Sequence, residues 1–90
     1  MAFSFTMKKK TMVEGGFVVE EGTWNGDSVT TGNITVDTAT QPEIIKITEW
    51  SIGNDNDANT AYATDVAPTT LKLTFGSGNT GTYLIKGKAA

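Results

Sequence analysis

The sequence predicts an all-β fold: a single small antiparallel β-sandwich or β-barrel-like domain. Three observations carry that prediction. Apolar side chains recur with a period of two in several short runs, the pattern of strands with one buried face. Val, Ile, Thr and aromatic residues fill those runs, as a pleated surface favours. No stretch spaces its apolar residues by three and four over a dozen positions, so no long helix is expected. A chain of 90 residues fits one domain, and no internal repeat or linker divides residues 1–90.

The first run alternates Phe3, Phe5 and Met7 with Ala2, Ser4 and Thr6, and Lys8-Lys9-Lys10 follows it. Residues 1–10 are read as an N-terminal strand or arm, whose removal is expected to leave a folded body. The second run is Gly16–Trp24, and Asn25-Gly26 behind it is a two-residue hairpin signal. Gly32–Asp37 is the third. Gln41-Pro42 places a proline at the start of the fourth, Glu43–Ile52. Strict alternation there puts Ile44, Trp50 and Ile52 on one face with Lys46 and Thr48, and Ile45 and Ile47 on the other. Apolar residues on both faces predict a central strand, or one whose second face another subunit covers.

Residues 53–69, rich in Asn, Asp, Ala and Thr, read as a long polar loop. A structureless segment of that length in a compact domain is expected to be functional, mobile or braced by a neighbour. Leu71, Leu73 and Phe75 then alternate with Thr70, Lys72 and Thr74. Gly76-Ser77-Gly78-Asn79 reads as a second hairpin turn leading into Thr82–Lys86.

Composition narrows the function. The chain has no Cys and no His, so the usual general base, the most reactive nucleophile and the preferred zinc ligands are missing together. All seven basic residues are Lys, which leaves no guanidinium to clamp a phosphate or carboxylate. The prediction is a non-enzymatic protein without a metal or other cofactor. Net charge is −3, which argues against general nucleic-acid binding. No apolar run approaches the ~20 residues of a membrane helix. Met1–Met12 has no apolar core of a signal peptide, so synthesis in the cytoplasm without a membrane step is expected. A core this thin usually needs disulfides, a metal or partner subunits. Partner subunits are the support that this composition leaves open.

Four constellations bear on binding. Asp55-Asn56-Asp57-Ala58-Asn59 has the spacing with which calcium loops begin, but Thr60 stands where a glycine is needed and Val66 where a bidentate glutamate should be. The plain reading is a surface loop whose Asn and Asp side chains cap their own backbone. The lysine run suits an acidic partner or a solvated turn. Residues 1–12 carry +3, residues 13–65 carry −9 and residues 66–90 carry +3, a distribution that suits self-association or docking on an acidic lattice. Trp24, Trp50, Tyr62 and Tyr83 either enlarge the core or, if exposed in a row, offer a sugar-stacking platform. Asn33-Ile34-Thr35 is a glycosylation sequon, read as chance without a secretory signal.

The layout resembles a family of short virion proteins of tailed bacteriophages. Met1-Ala2-Phe3-Ser4-Phe5-Thr6 is similar to the family's opening. Gly15-Gly16-Phe17-Val18-Val19 is similar to its turn and valine-rich strand, and Gly22-Thr23-Trp24-Asn25 to its Gly-Thr-aromatic-Asn signature. Gly32-Asn33-Ile34 and Gly81-Thr82-Tyr83-Leu84-Ile85-Lys86-Gly87 continue the order nearly to the end of the chain. The Asn/Asp loop and the triple lysine are not part of that pattern. The resemblance implies a capsid decoration or cement protein on the outer surface of the virion. Its partners would be the major capsid protein and further copies of itself, as a homotrimer, with no nucleic acid and no membrane. Phe3, Phe5, Lys8, Lys9 and Lys10 are the candidate partner-binding residues, because a basic edge strand can add to a neighbouring sheet while its lysines meet acidic side chains. Three rivals remain: a tail or fibre module, a carbohydrate-binding sandwich using Trp24, Trp50 or Tyr83, and a calcium-dependent adhesion loop.

Overall fold

A computed structural model describes residues 2–39, 41–55 and 61–89. The described residues hold seven strands: β1 Ser4–Val13, β2 Phe17–Asn25, β3 Thr31–Thr35, β4 Ile44–Asn54, β5 Tyr62–Ala67, β6 Thr70–Thr74 and β7 Thr80–Ala89. They form two antiparallel sheets, a four-stranded one in the order β1-β2-β7-β4 and a three-stranded one in the order β3-β6-β5. The all-β sandwich read from the sequence is the fold.

The core lies between the sheets. The larger contributes Val18, Trp24, Ile44, Ile47, Tyr83 and Ile85, and the smaller Ile34, Leu71 and Leu73, joined by Val36 and Phe75 just past the ends of β3 and β6. Alternation explains most of this set. Along β2, Val18, Gly22 and Trp24 point inward and Val19, Glu21 and Thr23 outward; on β6 Leu71 and Leu73 are buried while Lys72 is exposed. At one end Trp24 and Phe75 lie with ring centroids 4.9 Å apart, and Phe3 stacks on Phe75 at 5.6 Å. Phe3 has its seat because position 32 is glycine: a Cβ there would overlap its ring.

Among the described strands, consecutive ones pair only twice. β1 and β2 join through Glu14-Gly15-Gly16, where both glycines take positive φ, a conformation that a side chain disfavours. β5 and β6 join through Pro68-Thr69. The two turns expected to close hairpins do something else. Asn25-Gly26 carries the chain from the larger sheet to the smaller, and Gly76–Asn79 carries it back. The two crossings bond to each other, Gly26 N–H to the Asn79 carbonyl at 2.8 Å and Gly78 N–H to the Asp27 carbonyl at 2.6 Å. Turn chemistry marks a reversal or a corner; which strand it leads to is a tertiary matter.

Three further expectations are corrected. Residues 1–10, read as a strand or arm, belong to a strand and form no separate arm: β1 pairs with β2 from Ser4 opposite Asn25 to Val13 opposite Phe17, and the lysine run lies inside the strand. Residues 53–69 are not one long loop, since β4 continues to Asn54 and β5 occupies Tyr62–Ala67; Asn56–Thr60, with most of the calcium-like string, lie outside the described residues. The fourth strand is not central. β4 is an edge of the larger sheet, and its apolar residues do not divide between two faces. Register shifts between Ile44 and Lys46 and between Ile47 and Glu49 insert one extra residue each. Each bulge advances the phase by one, so Ile44, Ile47, Trp50 and Ile52 oppose Ala89, Gly87, Ile85 and Tyr83 on the core side. Ile45, in the first bulge, is left 48 % exposed.

Candidate interaction surface

β1 carries all the lysines of the run, and a bulge between Met7 and Lys9 decides what each does. Before it, Phe5 and Met7 oppose Trp24 and Gly22 on the core face; after it, Lys10 and Met12 oppose Glu20 and Val18. Uninterrupted alternation would have sent Lys9 inward with Phe3, Phe5 and Met7. The extra residue turns Lys10 inward instead and leaves Lys9 outside, across from Glu21.

Lys10 therefore enters the interior, its side chain 3 % exposed. Its Nζ donates to the Asp37 carbonyl at 2.8 Å and to Asp37 Oδ2 at 3.1 Å. Glu20, fully buried on the neighbouring strand, completes the cluster. Its Oε1 accepts the Asp37 N–H at 3.0 Å and its Oε2 accepts the Tyr83 hydroxyl at 3.3 Å. Burial pushes the Glu20 carboxyl above the ordinary glutamate range, opposed by the Asp37 N–H, the Lys10 charge and the Tyr83 hydroxyl. Burial likewise raises the Tyr83 phenol well above its usual value, reinforced by the neighbouring Glu20 charge and the bond given to it. A buried charge is tolerable only when paired and hydrogen-bonded; here Lys10 has the Asp37 carboxylate, and Glu20 has the Asp37 backbone N–H and the Tyr83 hydroxyl. They fasten the chain after β3 to β1, β2 and β7.

The five candidate partner-binding residues thus separate. Phe3 is half-buried among Trp24, Phe75 and Phe5, and Lys10 is committed to Asp37; both belong to the protein's own interior. Phe5 is 36 % exposed and meets the Tyr83 ring edge-on at 6.2 Å. Lys8, in the bulge, and Lys9 are exposed. The sugar-stacking rival loses two of its three aromatics, because Trp24 and Tyr83 are each 2 % exposed; Trp24 Nε1 also donates inward, to the Thr82 carbonyl at 3.1 Å.

The outer face of the larger sheet has two halves. One is hydroxyl-rich: Ser4, Asn25 and Thr80 form a cross-strand row, and Thr6, Thr23 and Thr82 the next. Two shallow depressions, of about 470 and 290 Å³, share Thr23 and Thr82 and make one trough there. Lys8 and Glu21 line one part of it and Asp55 the other. None of Lys10, Glu20 and Asp37 lines the trough. The other half, towards the β1–β2 turn, holds Phe17, Val19, Lys46, Lys86 and Lys88 in adjacent rows. Sequence reading missed this group because its members come from three strands, and spacing along the chain does not bring Lys46 beside Lys88.

Among the described residues no group of three or more acids could hold a metal ion, and no helix is long and apolar enough to cross a membrane. The sheet edges are treated unequally. β4 is interrupted by its two bulges and gives the Ile47 N–H to the Pro68 carbonyl at 2.7 Å, both of which blunt an edge. β1 carries one bulge in ten residues. Comparison with protein-family models, with curated proteins and with solved structures finds no match for this chain.

Proposed function

We propose that this chain is a non-catalytic structural protein of a tailed-bacteriophage virion, of the capsid decoration type. It binds the outer shell in many copies, as a homo-oligomer, and reinforces contacts between subunits of the major capsid protein. One observation carries the reading: the buried ionisable groups are all engaged inside the protein, Lys10 with Asp37 and Glu20 with the Asp37 N–H and the Tyr83 hydroxyl, which leaves surfaces and strand edges as the means of action. The sequence order that resembles the phage family supplies the particle. A clip of this kind needs only a standard interface of ~1,200–2,000 Å² per contact, and repetition over a lattice compensates for modest single affinities.

The test is co-sedimentation of the purified chain with empty shells of the virus that encodes it, together with light scattering of the free chain. Saturable binding at a fixed ratio to the capsid protein, and shells that resist a higher temperature when decorated, are expected. A chain that stays in the supernatant, or that mass spectrometry places in the tail of purified particles, refutes the reading.

A further inference from the structure

Five of the seven lysines are accounted for where they stand. Lys10 is inside the protein. Lys9 opposes Glu21 across the β1–β2 pair, and Lys8 borders the same trough as Glu21. Lys72 lies on the other sheet, between Asn33 and Thr64. Lys86 opposes Glu49, yet its ammonium sits over the Phe17 ring, 5.0 Å from the centroid. Lys46 and Lys88 remain, and the β4–β7 register places them directly across from one another. Like charges in that position destabilise a sheet, and among the described residues neither has a carboxylate within ion-pair distance.

The cost has a use if a partner supplies the missing acid. The surroundings suit a protein partner: Phe17 and Val19 are half-buried on the outward side of the sheet, next to Lys86, while Lys46 and Lys88 are exposed. An aromatic centre with cations at its rim is the composition of a protein-binding patch. The half-buried Phe17 and Val19 at its centre match the apolar core of a protein interface better than a phosphate backbone, which a purely cationic patch would suit.

We propose that this half of the outer sheet face, Phe17 and Val19 with Lys46, Lys86 and Lys88, is the docking surface for an acidic protein surface. The proposal deepens the decoration reading by naming its contact face, and rests on it only for the identity of the partner.

The experiment uses the whole chain, with poly-L-glutamate as a defined acidic probe followed by backbone NMR, and duplex DNA of equal charge as a second probe. Poly-L-glutamate should shift Phe17, Val19, Lys46, Lys86 and Lys88 first, with an affinity that falls steeply with salt. Lys46→Glu turns a repulsive cross-strand pair into an attractive one. It should therefore leave the melting temperature unchanged or raised while weakening poly-L-glutamate binding about tenfold; Lys72→Glu should leave binding within about twofold of the parent. Equal losses in the two variants, or first shifts at Lys8 and Lys9, overturn the proposal. Tighter binding of DNA at the same residues also overturns it, in favour of a nucleic-acid partner. If poly-L-glutamate maps to this face but empty shells do not bind the parent chain, the inference stands and the decoration reading falls.

Discussion

Of three adjacent lysines, only Lys10 should matter to stability. Lys10→Met keeps the length of the stem and removes the ammonium. The Asp37 carbonyl then loses a donor, worth about 1 kcal/mol. The Asp37 carboxylate loses its ion pair, but it is 23 % exposed and recovers part of that from water. Glu20, with no exposure, loses the positive charge that helps it stay ionised. Breaking a fully buried pair costs about 3–5 kcal/mol; discounting for the exposure of Asp37 gives roughly 3 kcal/mol. At ~4–8 °C per kcal/mol for a domain of this size, the melting temperature should drop by about 12–24 °C. Lys8→Met and Lys9→Met should each stay within about 0.5 kcal/mol of the parent. The pH dependence adds a check. Without Lys10 the folded-state pKa of Glu20 rises further, so the native state holds that proton more tightly and loses stability more steeply as pH rises. The cost of Lys10→Met should therefore be larger at pH 7 than at pH 4. Urea unfolding followed by tryptophan fluorescence at both pH values measures it. Equal midpoints for Lys9→Met and Lys10→Met would refute the assignment of the bulge and of the buried cluster together.

Four other perturbations probe neighbouring parts of the molecule. Because the Glu20 carboxyl is raised by burial above its ordinary value of 4.5, the stability of the parent relative to Glu20→Gln should fall as pH climbs through and above that value; a flat difference across urea titrations from pH 4 to 8 contradicts it. Glu20→Ala should cost about 2–3 kcal/mol on the same scale, since the Asp37 N–H and the Tyr83 hydroxyl lose their acceptor. Ile45→Lys should leave the thermal midpoint nearly unchanged, whereas Ile47→Lys, at a position 5 % exposed, should unfold the domain by burying an unpaired charge; circular dichroism distinguishes the two, and similar behaviour would mean that β4 is not bulged. Deletion of residues 1–10 should abolish the cooperative melt rather than yield a folded body, because it removes Phe3, Lys10 and most of the strand paired with β2.

Local patterning alone yields the fold class, the lack of a long helix among the described residues, the approximate position of six of the seven strands described and the inward set Leu71, Leu73 and Phe75. These follow from local rules, alternation above all, that each segment obeys wherever it ends up. Where local alternation breaks, the sequence is silent. A one-residue bulge leaves no mark in composition, yet it moved Lys10 into the interior and brought Ile47 onto the core side with Ile44. The fifth strand, Tyr62–Ala67, went unread because its burial pattern hardly alternates: it is an edge strand with Tyr62 and Val66 more than half exposed. Partner choice was also beyond the sequence, since Asn25-Gly26 has the same turn chemistry whether the next strand pairs with the last or crosses to the other sheet. The grouping of Lys46, Lys86 and Lys88 around Phe17 exists only because three strands lie side by side, an arrangement set by burial of the opposite face and not by any spacing along the chain.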